Sequence, residues 1–304
     1  MRDIAIGTRG SALALCQARI VKAELEKRNP GQAFVLKPIK AEGDLRAEAP
    51  LQALGGEGIF VKELEKALLD EQIDLAVHSL KDLPLAGPPE LALGAVLKRE
   101  EAADALVSAS GKPLEELAPG GRIGTSSLRR ISQLLSFRSD LKLMDIRGNV
   151  DTRLRKLDEG QYDAIVLAAC GLMRLGLENR ITQRLDFSVM LPEPGQGALA
   201  IETRKKDTAV NGLVALLNDA ATRACVSAER AFLQALGGGC RVPIAAHARL
   251  QAQLLHLEGA VIAKDGHRQV RGGIEGPPTE AAELGAQLAK ELIAQGALEL
   301  LKSI

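Results

Sequence analysis

Short β-type runs alternate with helix-length stretches through the first third of the chain, and the same alternation then begins again. That rhythm confines the fold to an α/β architecture with largely parallel sheets. Ile4-Ala5-Ile6 leads through Gly7-Thr8-Arg9-Gly10 into a helix with Leu13, Cys16 and Ile20 on one side. Phe34 to Ile39 forms a second run, followed by a loop holding Gly43, Gly55, Gly56 and Gly58. The next helix carries Phe60, Leu64 and Leu68 on one face. Asp74 to Val77 follows and, past Pro84, Pro88 and Pro89, a run from Leu91 to Leu97.

After the charged stretch Lys98-Arg99-Glu100-Glu101 the pattern resumes. Ile123-Gly124-Thr125 echoes Ile6-Gly7-Thr8, and Tyr162-Asp163-Ala164-Ile165-Val166 echoes Ile73-Asp74-Leu75-Ala76-Val77. Two echoes in one order predict two similarly built domains in tandem. The last third changes character. A helix from about Asp219 to Leu236 stops at Gly237-Gly238-Gly239. Strand-like runs at His247 to Leu257 and Gly259 to Ala263 follow, and Asp265-Gly266 reads as a hairpin turn into His267 to Ile274. A closing amphipathic helix aligns Leu284, Leu288 and Leu292, which makes this a small α+β domain. A chain of 304 residues is too long for one ordinary core, and hinges are expected near residues 98–102, 191–197 and 216–220.

Lys plus Arg equals Asp plus Glu at 39 each, so no global field favours nucleic acid or a membrane surface. One Tyr, five Phe and no Trp leave little for stacking bases. No apolar run approaches the roughly 20 residues that span a bilayer, and the first residues carry no signal-peptide pattern, so a cytoplasmic location is expected. Cys16, Cys170, Cys225 and Cys240 show neither a C-x-x-C pair nor zinc spacing, and no metal site is expected. The first three read as small buried apolar residues in a reducing compartment.

Arg and hydroxyl residues concentrate in loops at the ends of predicted strands. The segments are Gly7-Thr8-Arg9-Gly10-Ser11, Gly124-Thr125-Ser126-Ser127-Leu128-Arg129-Arg130, Arg147-Gly148-Asn149-Val150-Asp151-Thr152-Arg153 and Ala169-Cys170-Gly171-Leu172-Met173-Arg174. Helix N-termini present unpaired N–H groups, and Arg adds a planar fork suited to carboxylate or phosphate. In α/β sheets ligands collect beyond the carboxyl ends of strands. A ligand with several negative groups is expected, and the Walker A spacing is absent. Lys81 and Asp82 follow an apolar strand, where a carboxylate among cations stays ionised and stabilises a developing cation or accepts an N–H bond. The pattern alone also fits an ordinary loop ion pair. Cys240 follows three glycines and precedes Arg241, an accessible setting in which a thiol ionises and reacts. The residues by themselves admit an anion receptor as well as an enzyme.

Gly7 to Ala14, Gly58 to Glu65, His78-Ser79-Leu80-Lys81-Asp82-Leu83-Pro84, Gly124 to Arg130, Arg147 to Arg153, Pro194-Gly195-Gln196-Gly197-Ala198-Leu199 and Gly238-Gly239-Cys240 with Pro243 together resemble the porphobilinogen deaminase (hydroxymethylbilane synthase) family, in order from about residue 4 to residue 246. The resemblance implies two periplasmic-binding-protein-like α/β domains forming a clamshell, residues 1–98 with 198–215 and residues 102–194. A C-terminal α+β domain, residues 219–304, would carry the cofactor cysteine. It implies a monomer that condenses four porphobilinogen molecules, with loss of ammonia, onto a dipyrromethane cofactor attached to Cys240, and releases the linear tetrapyrrole hydroxymethylbilane. Asp82 would be catalytic. Cys240, Asp82, Lys81, Ser127, Arg129, Arg130 and Arg147 would hold the cofactor, and Arg9, Ser11, Arg147, Arg153, Arg174 and Gln196 the substrate. One departure stands out: Glu57 occupies a position in the glycine-rich loop where the family most often has Lys.

Overall fold

The computed structural model describes residues 2–39, 61–239 and 242–302. In chain order its elements are β1 (Ile4–Arg9), α1 (Ala12–Arg28), β2 (Phe34–Ile39), α2 (Lys62–Leu69), β3 (Leu75–Ser79), β4 (Leu91–Val96), β5 (Asp104–Ser108) and β6 (Arg122–Gly124). Next come α3 (Leu128–Phe137), β7 (Lys142–Met144), α4 (Val150–Asp158), β8 (Ala164–Ala168), α5 (Ala169–Arg174), β9 (Gln183–Arg184) and β10 (Leu199–Arg204). The chain closes with α6 (Thr208–Ala215), α7 (Ala220–Ala235), β11 (Ile244–Gln251), β12 (Leu254–Ile262), β13 (Gln269–Gly276), α8 (Ala281–Ala294) and α9 (Ala297–Lys302). It separates into two compact units, Met1–Glu100 with Ala198–Arg223, and Glu101–Gly197 with Ala224–Ile304.

The first unit holds a five-stranded sheet in the order β2-β1-β3-β10-β4. Strand β1 runs parallel to β2 and β3, while β10 is antiparallel to both its neighbours. Strand residues alternate between faces, so Leu75 and Val77 pack with Val21 and Leu25 of α1, and Ala76 packs with Leu64 and Leu68 of α2. The second unit holds a sheet in the order β7-β6-β8-β5-β9, with β6 parallel to β7 and β8 and β5 antiparallel to β8 and β9. The two sheets have one topology, parallel over three strands and antiparallel beyond. The fold is α/β, two such sheet domains followed by a small α+β domain.

The sequence echoes mark equivalent positions. Ile6 and Gly7 pair with Leu75 and Ala76, and Ile123 and Gly124 pair with Ala164 and Ile165. Ala5 N donates to Asp74 Oδ2 at 2.8 Å, and Arg122 N donates to Asp163 Oδ2 at 2.8 Å. Each glycine is closely approached by its neighbour: a Cβ on Gly7 would lie 2.2 Å from Ile73 Cδ1, and one on Gly124 would lie 2.9 Å from Tyr162 Cδ1.

In the C-terminal domain β11, β12 and β13 form an antiparallel meander packed on α7, α8 and α9. The expected run from His247 to Leu257 is instead two strands, broken at Ala252 and Gln253, whose φ values are 49° and 69°. A two-residue hairpin turn of this hand is usually signalled by Asn-Gly or Asp-Gly, and Ala-Gln carries no such signal. The turn at Asp265-Gly266 is where the sequence places it, with Gly266 at φ 76° and Ala263 N donating to Arg268 O. Helix α7 also ends as expected: Gly237 takes φ 66°, and Gly238 N donates to Leu233 O. Buried Glu229 on α7 accepts from Ala248 N and Gly195 N, both at 2.7 Å. No helix among the described residues is long and apolar enough to cross a membrane.

Candidate active site

In the first unit two strand ends converge. Strand β1 ends at Thr8 and Arg9, and Ser11 caps α1 by accepting from Ala14 N. Thr8 is fully buried and donates from Oγ1 to Ala14 O at 3.0 Å, which fixes the path of the loop. Strand β3 ends at Ser79 and passes into a single 3-10 turn, Leu80–Asp82. Buried Leu80 anchors that turn, its N–H donating to Ala198 O on the way into β10. Asp82 is thereby held at the surface. A cavity of about 60 Å³ is lined by Arg9, Ser11, Gln17, His78, Ser79 and Asp82, among others. Sequence reasoning places Arg9, Ser11 and Asp82 at one site, and the structure brings them together. Lys81 lies beside Asp82 in the same turn. Gln17 and Ser79 were not foreseen. Gln17 is buried and donates to Ser79 Oγ at 2.8 Å, tying α1 to the strand end.

The second unit gathers the other arginines. Ser127 is the N-cap residue of α3 but makes no side-chain cap bond, so its hydroxyl does not serve the helix. Arg129 and Arg130 follow in the first turn, and both are buried. Their common partner is Asp104, the first residue of β5, with no exposed surface. Arg129 Nη1 donates to Asp104 Oδ2 at 2.7 Å and to Leu191 O at 2.9 Å. Arg130 donates to Asp104 Oδ1 from Nε at 3.1 Å and Nη2 at 2.7 Å, and from Nη1 to Val166 O at 3.0 Å. Gln196, also fully buried, donates to Ala102 O and Asp104 Oδ1. Burial alone would raise the Asp104 pKa, but the two guanidiniums outweigh it and hold this carboxyl well below the usual range. Arg129 Nε and Nη2 are buried and have no protein partner.

A third loop lies beside these two arginines. Ser126 Oγ donates to Ile146 O at 2.7 Å and accepts from Ile146 N at 3.1 Å, stitching the β6 loop to the β7 loop. Gly148 adopts φ 109°, a left-handed backbone that suits glycine. Arg147 donates from Nε to Asp145 at 3.0 Å, and Arg153 donates from Nε to Gly148 O at 2.8 Å. The Arg153 pKa is pushed down to about 10, by burial first and then by Arg130 and Arg147, with Asp145 offsetting only part. Such crowding of like charge is costly unless an anion joins it. Arg174, at the end of α5, donates from Nη2 to Gly197 O at 2.8 Å.

Asp104 and His78 were not foreseen as site residues. Asp104 follows Ala102-Ala103 at a strand start and looks like a surface loop acid; only its pairing opposite the end of β8 shows that it faces two arginines. Cys240, Glu57, Phe60 and the loop glycines Gly43, Gly55, Gly56 and Gly58 lie outside the described residues. Cys170 and Cys225 are buried as expected, whereas Cys16 is only half-buried.

Fold and site define an α/β protein whose buried and crowded arginines suit a ligand with several negative groups. The family model "Porphobilinogen deaminase, dipyromethane cofactor binding domain" matches residues 4–212, and "Porphobilinogen deaminase, C-terminal domain" matches residues 223–294. The porphobilinogen deaminase of Roseiflexus castenholzii is 49% identical over 299 residues, covering 98% of each chain. That of Syntrophobacter fumaroxidans is 47% identical over 303 residues, covering all of this chain and 98% of the relative. Among solved structures, the Bordetella pertussis BvgS VFT2 domain overlaps 70% of this chain and 84% of its own at 16% identity, with a TM-score of 0.40, and nothing is drawn from so distant a likeness. The chain belongs to the porphobilinogen deaminase family. It is a deaminating transferase of tetrapyrrole synthesis that works with a dipyrromethane cofactor.

The residues present fit that cofactor. A dipyrromethane carries acetate and propionate groups and pyrrole N–H donors. Arg129 offers two buried nitrogens without a protein partner, the Arg147–Arg153 cluster has excess positive charge, and Asp82 is an exposed carboxylate.

Proposed function

We propose that Asp82 and the strand-end arginines carry the condensation of four porphobilinogen molecules in the following way. When bound through Cys240, the cofactor supplies the pyrrole end on which the product is built. Arg129 is its main carboxylate fork, because Asp104 holds Nη1 while the buried Nε and Nη2 have no protein partner. That buried, unpartnered Nε–Nη2 edge is the observation behind the proposal. Arg130 commits its three nitrogens to Asp104 and Val166, so its part is to add field and rigidity. Gln196 supports Asp104 from behind. Ser127, with its hydroxyl free of capping duty, and Lys81 add single contacts to cofactor carboxylates. Arg147 and Arg153 form a second carboxylate seat, open to substrate as well as cofactor, with Arg9, Ser11 and Arg174 as further contacts to substrate.

Asp82 accepts pyrrole N–H bonds, and its carboxylate stabilises the cationic methylene-pyrrolenine left when ammonia departs from the substrate. Asp82→Asn keeps an N–H acceptor and removes the charge. A loss in kcat of at least about 10²-fold is expected, the size typical of removing one preorganised electrostatic group. A folded Asp82→Asn enzyme with near wild-type kcat would remove Asp82 from the mechanism. Cys240→Ser should abolish covalently bound pyrrole. Intact-protein mass and a pyrrole colour reaction check this, and an active Cys240→Ser enzyme would overturn the attachment. The reading includes a monomer working in a reducing cytoplasm; size-exclusion chromatography with light scattering tests the monomer.

A further inference from the structure

The strand that delivers Asp82 is held from both faces of its sheet. On the α1 face Gln17 holds Ser79, as described. On the α2 face lies a cluster that the reaction as set out above does not use. His78 Nε2 is 3.2 Å from Glu202 Oε2 on β10, and the two are 5% exposed each. Glu202 pairs with Ala76 in the antiparallel ladder, which puts its side chain on the same face as His78, one diagonal step away. Glu65 of α2 lies over them at 9% exposure, and its Oε1 is buried without a hydrogen-bond partner. A Cβ added at Gly87 would meet Glu65 Oε1 at 3.3 Å and Glu202 Oε1 at 3.9 Å, so both carboxylates face the same glycine.

Two buried carboxylates at such range do not both ionise readily. The Glu65 pKa is raised, by burial first and then by Glu202, with His78 and Lys62 opposing. In the tautomer with the ring proton on Nε2, His78 donates to Glu202 Oε2.

The second sheet supplies a comparison. Counting along the paired strands, the residues equivalent to His78 and Glu202 are Leu167 and Val107, both buried and apolar. Nothing about the scaffold therefore demands a polar pair at this place. After β8 the chain delivers Cys170 and Gly171 where β3 delivers Lys81 and Asp82. The polar pair occurs only under the strand that ends in the carboxylate, and His78 also lines the cavity that Asp82 lines.

We propose that His78, fixed by Glu202 beneath Glu65, is a positioning residue that sets the seat of Asp82 in the reaction. This rests on the role given to Asp82 above. The test is His78→Leu/Glu202→Val, which installs the pattern of the second sheet. Replacing both partners of a buried hydrogen bond by apolar residues of similar volume is nearly neutral or stabilising, so Tm should hold within a few degrees. The expected result is a kcat lower by about 10-fold with KM changed less than about 3-fold, because a misplaced electrostatic group acts on the transition state. His78→Gln retains a donor to Glu202 and should recover most of the rate; it also serves if the double variant does not fold.

Coupling is read from a cycle with Asp82→Glu. If His78 acts through Asp82, the double variant combined with Asp82→Glu should be slower than Asp82→Glu alone by clearly less than that 10-fold. Independent, fully additive losses would reduce the pair to packing and overturn the proposal, as would wild-type kcat in a folded double variant. A near wild-type Asp82→Asn enzyme would instead remove the underlying role of Asp82. For Glu65 the sign is definite: a carboxyl whose folded pKa is raised makes stability fall as pH climbs from the ordinary glutamate range through the raised value. Glu65→Gln should flatten that part of the Tm–pH curve, and an unchanged slope would show that Glu65 does not hold the proton.

Discussion

Opposite the last residue of β3 the first sheet carries Leu199, and opposite the last residue of β8 the second sheet carries Asp104. The helices that follow the parallel strands differ in step. Two and three residues beyond the N-cap Ser11 come Leu13 and Ala14, and beyond the N-cap Ser127 come Arg129 and Arg130. A strand–helix turn with its partial positive charge is present in both domains. Only the one with a buried acid behind it can bury two guanidiniums. The difference teaches that anion binding here depends on the buried counter-charge more than on the helix terminus, whose effect is worth at most a few tenths to about 1 kcal/mol at an exposed end.

The comparison can be broken most sharply at Asp104. Asp104→Leu should cost about 3–5 kcal/mol, because it leaves two buried cations without their partner; chemical denaturation measures this, and a loss under about 1 kcal/mol would mean that the arginines find water instead. Asp104→Leu with Arg129→Leu and Arg130→Ala installs the pattern of the first sheet. Most of the lost stability should return while bound cofactor is lost, which intact mass reports. Smaller effects come from the paired glycines. Gly124→Ala pushes on the Tyr162 ring, whose hydroxyl is held by Asp145 O at 2.8 Å, whereas Gly7→Ala meets the end of the flexible Ile73 side chain. Overpacking should cost about 2 kcal/mol at Gly124 and about 1 kcal/mol at Gly7, and the reverse order would show that the first domain is the more rigid.

The smallest difference concerns the acids that clamp the first strands. Asp74 is 6% exposed and serves Arg2, Arg204 and Ala5 N, whereas Asp163 is 46% exposed. In both the folded pKa is lowered. For Asp74 burial opposes the shift and the bonds from Arg2 and Ala5 N outweigh it; for Asp163 the bonds from Arg122 lead. Their contribution is therefore present above the ordinary aspartate range and lost as pH falls through the lowered value. Asp74→Asn should remove about 1–2 kcal/mol of neutral-pH stability, since its bonds are charged and partly buried. Asp163→Asn should remove under about 1 kcal/mol. Acid titrations of Tm for the two variants check the ordering.

Much of this was legible in the sequence where local chemistry decides. Phe34 to Ile39 is a strand with those bounds, and the echo of Ile6-Gly7 in Ile123-Gly124 is a shared register. Arg9, Ser11 and Asp82 could be placed together because each lies at or just beyond the end of one of two neighbouring parallel strands, β1 and β3. What escaped depends on partners distant in sequence. Asp104 meets Arg129 and Arg130 only through strand pairing, and His78 meets Glu202 across 124 positions. The turn at Ala252-Gln253 escaped for another reason: two non-glycine residues at positive φ are held by the ladder on either side, not by their own preference.

The placement of β10 has a consequence in time. All strands of the second sheet come from one continuous stretch, residues 104–184, so that sheet can form as soon as the stretch is available. The first sheet cannot. Strand β4 joins it only through β10, which ends at Arg204. At about 5–20 residues per second, a ribosome takes on the order of 5–20 s to travel from the end of β4 to the end of β10. Through that interval β3 presents an unpaired edge, a template for pairing with another nascent chain. The first sheet is thus begun before the second and completed after it.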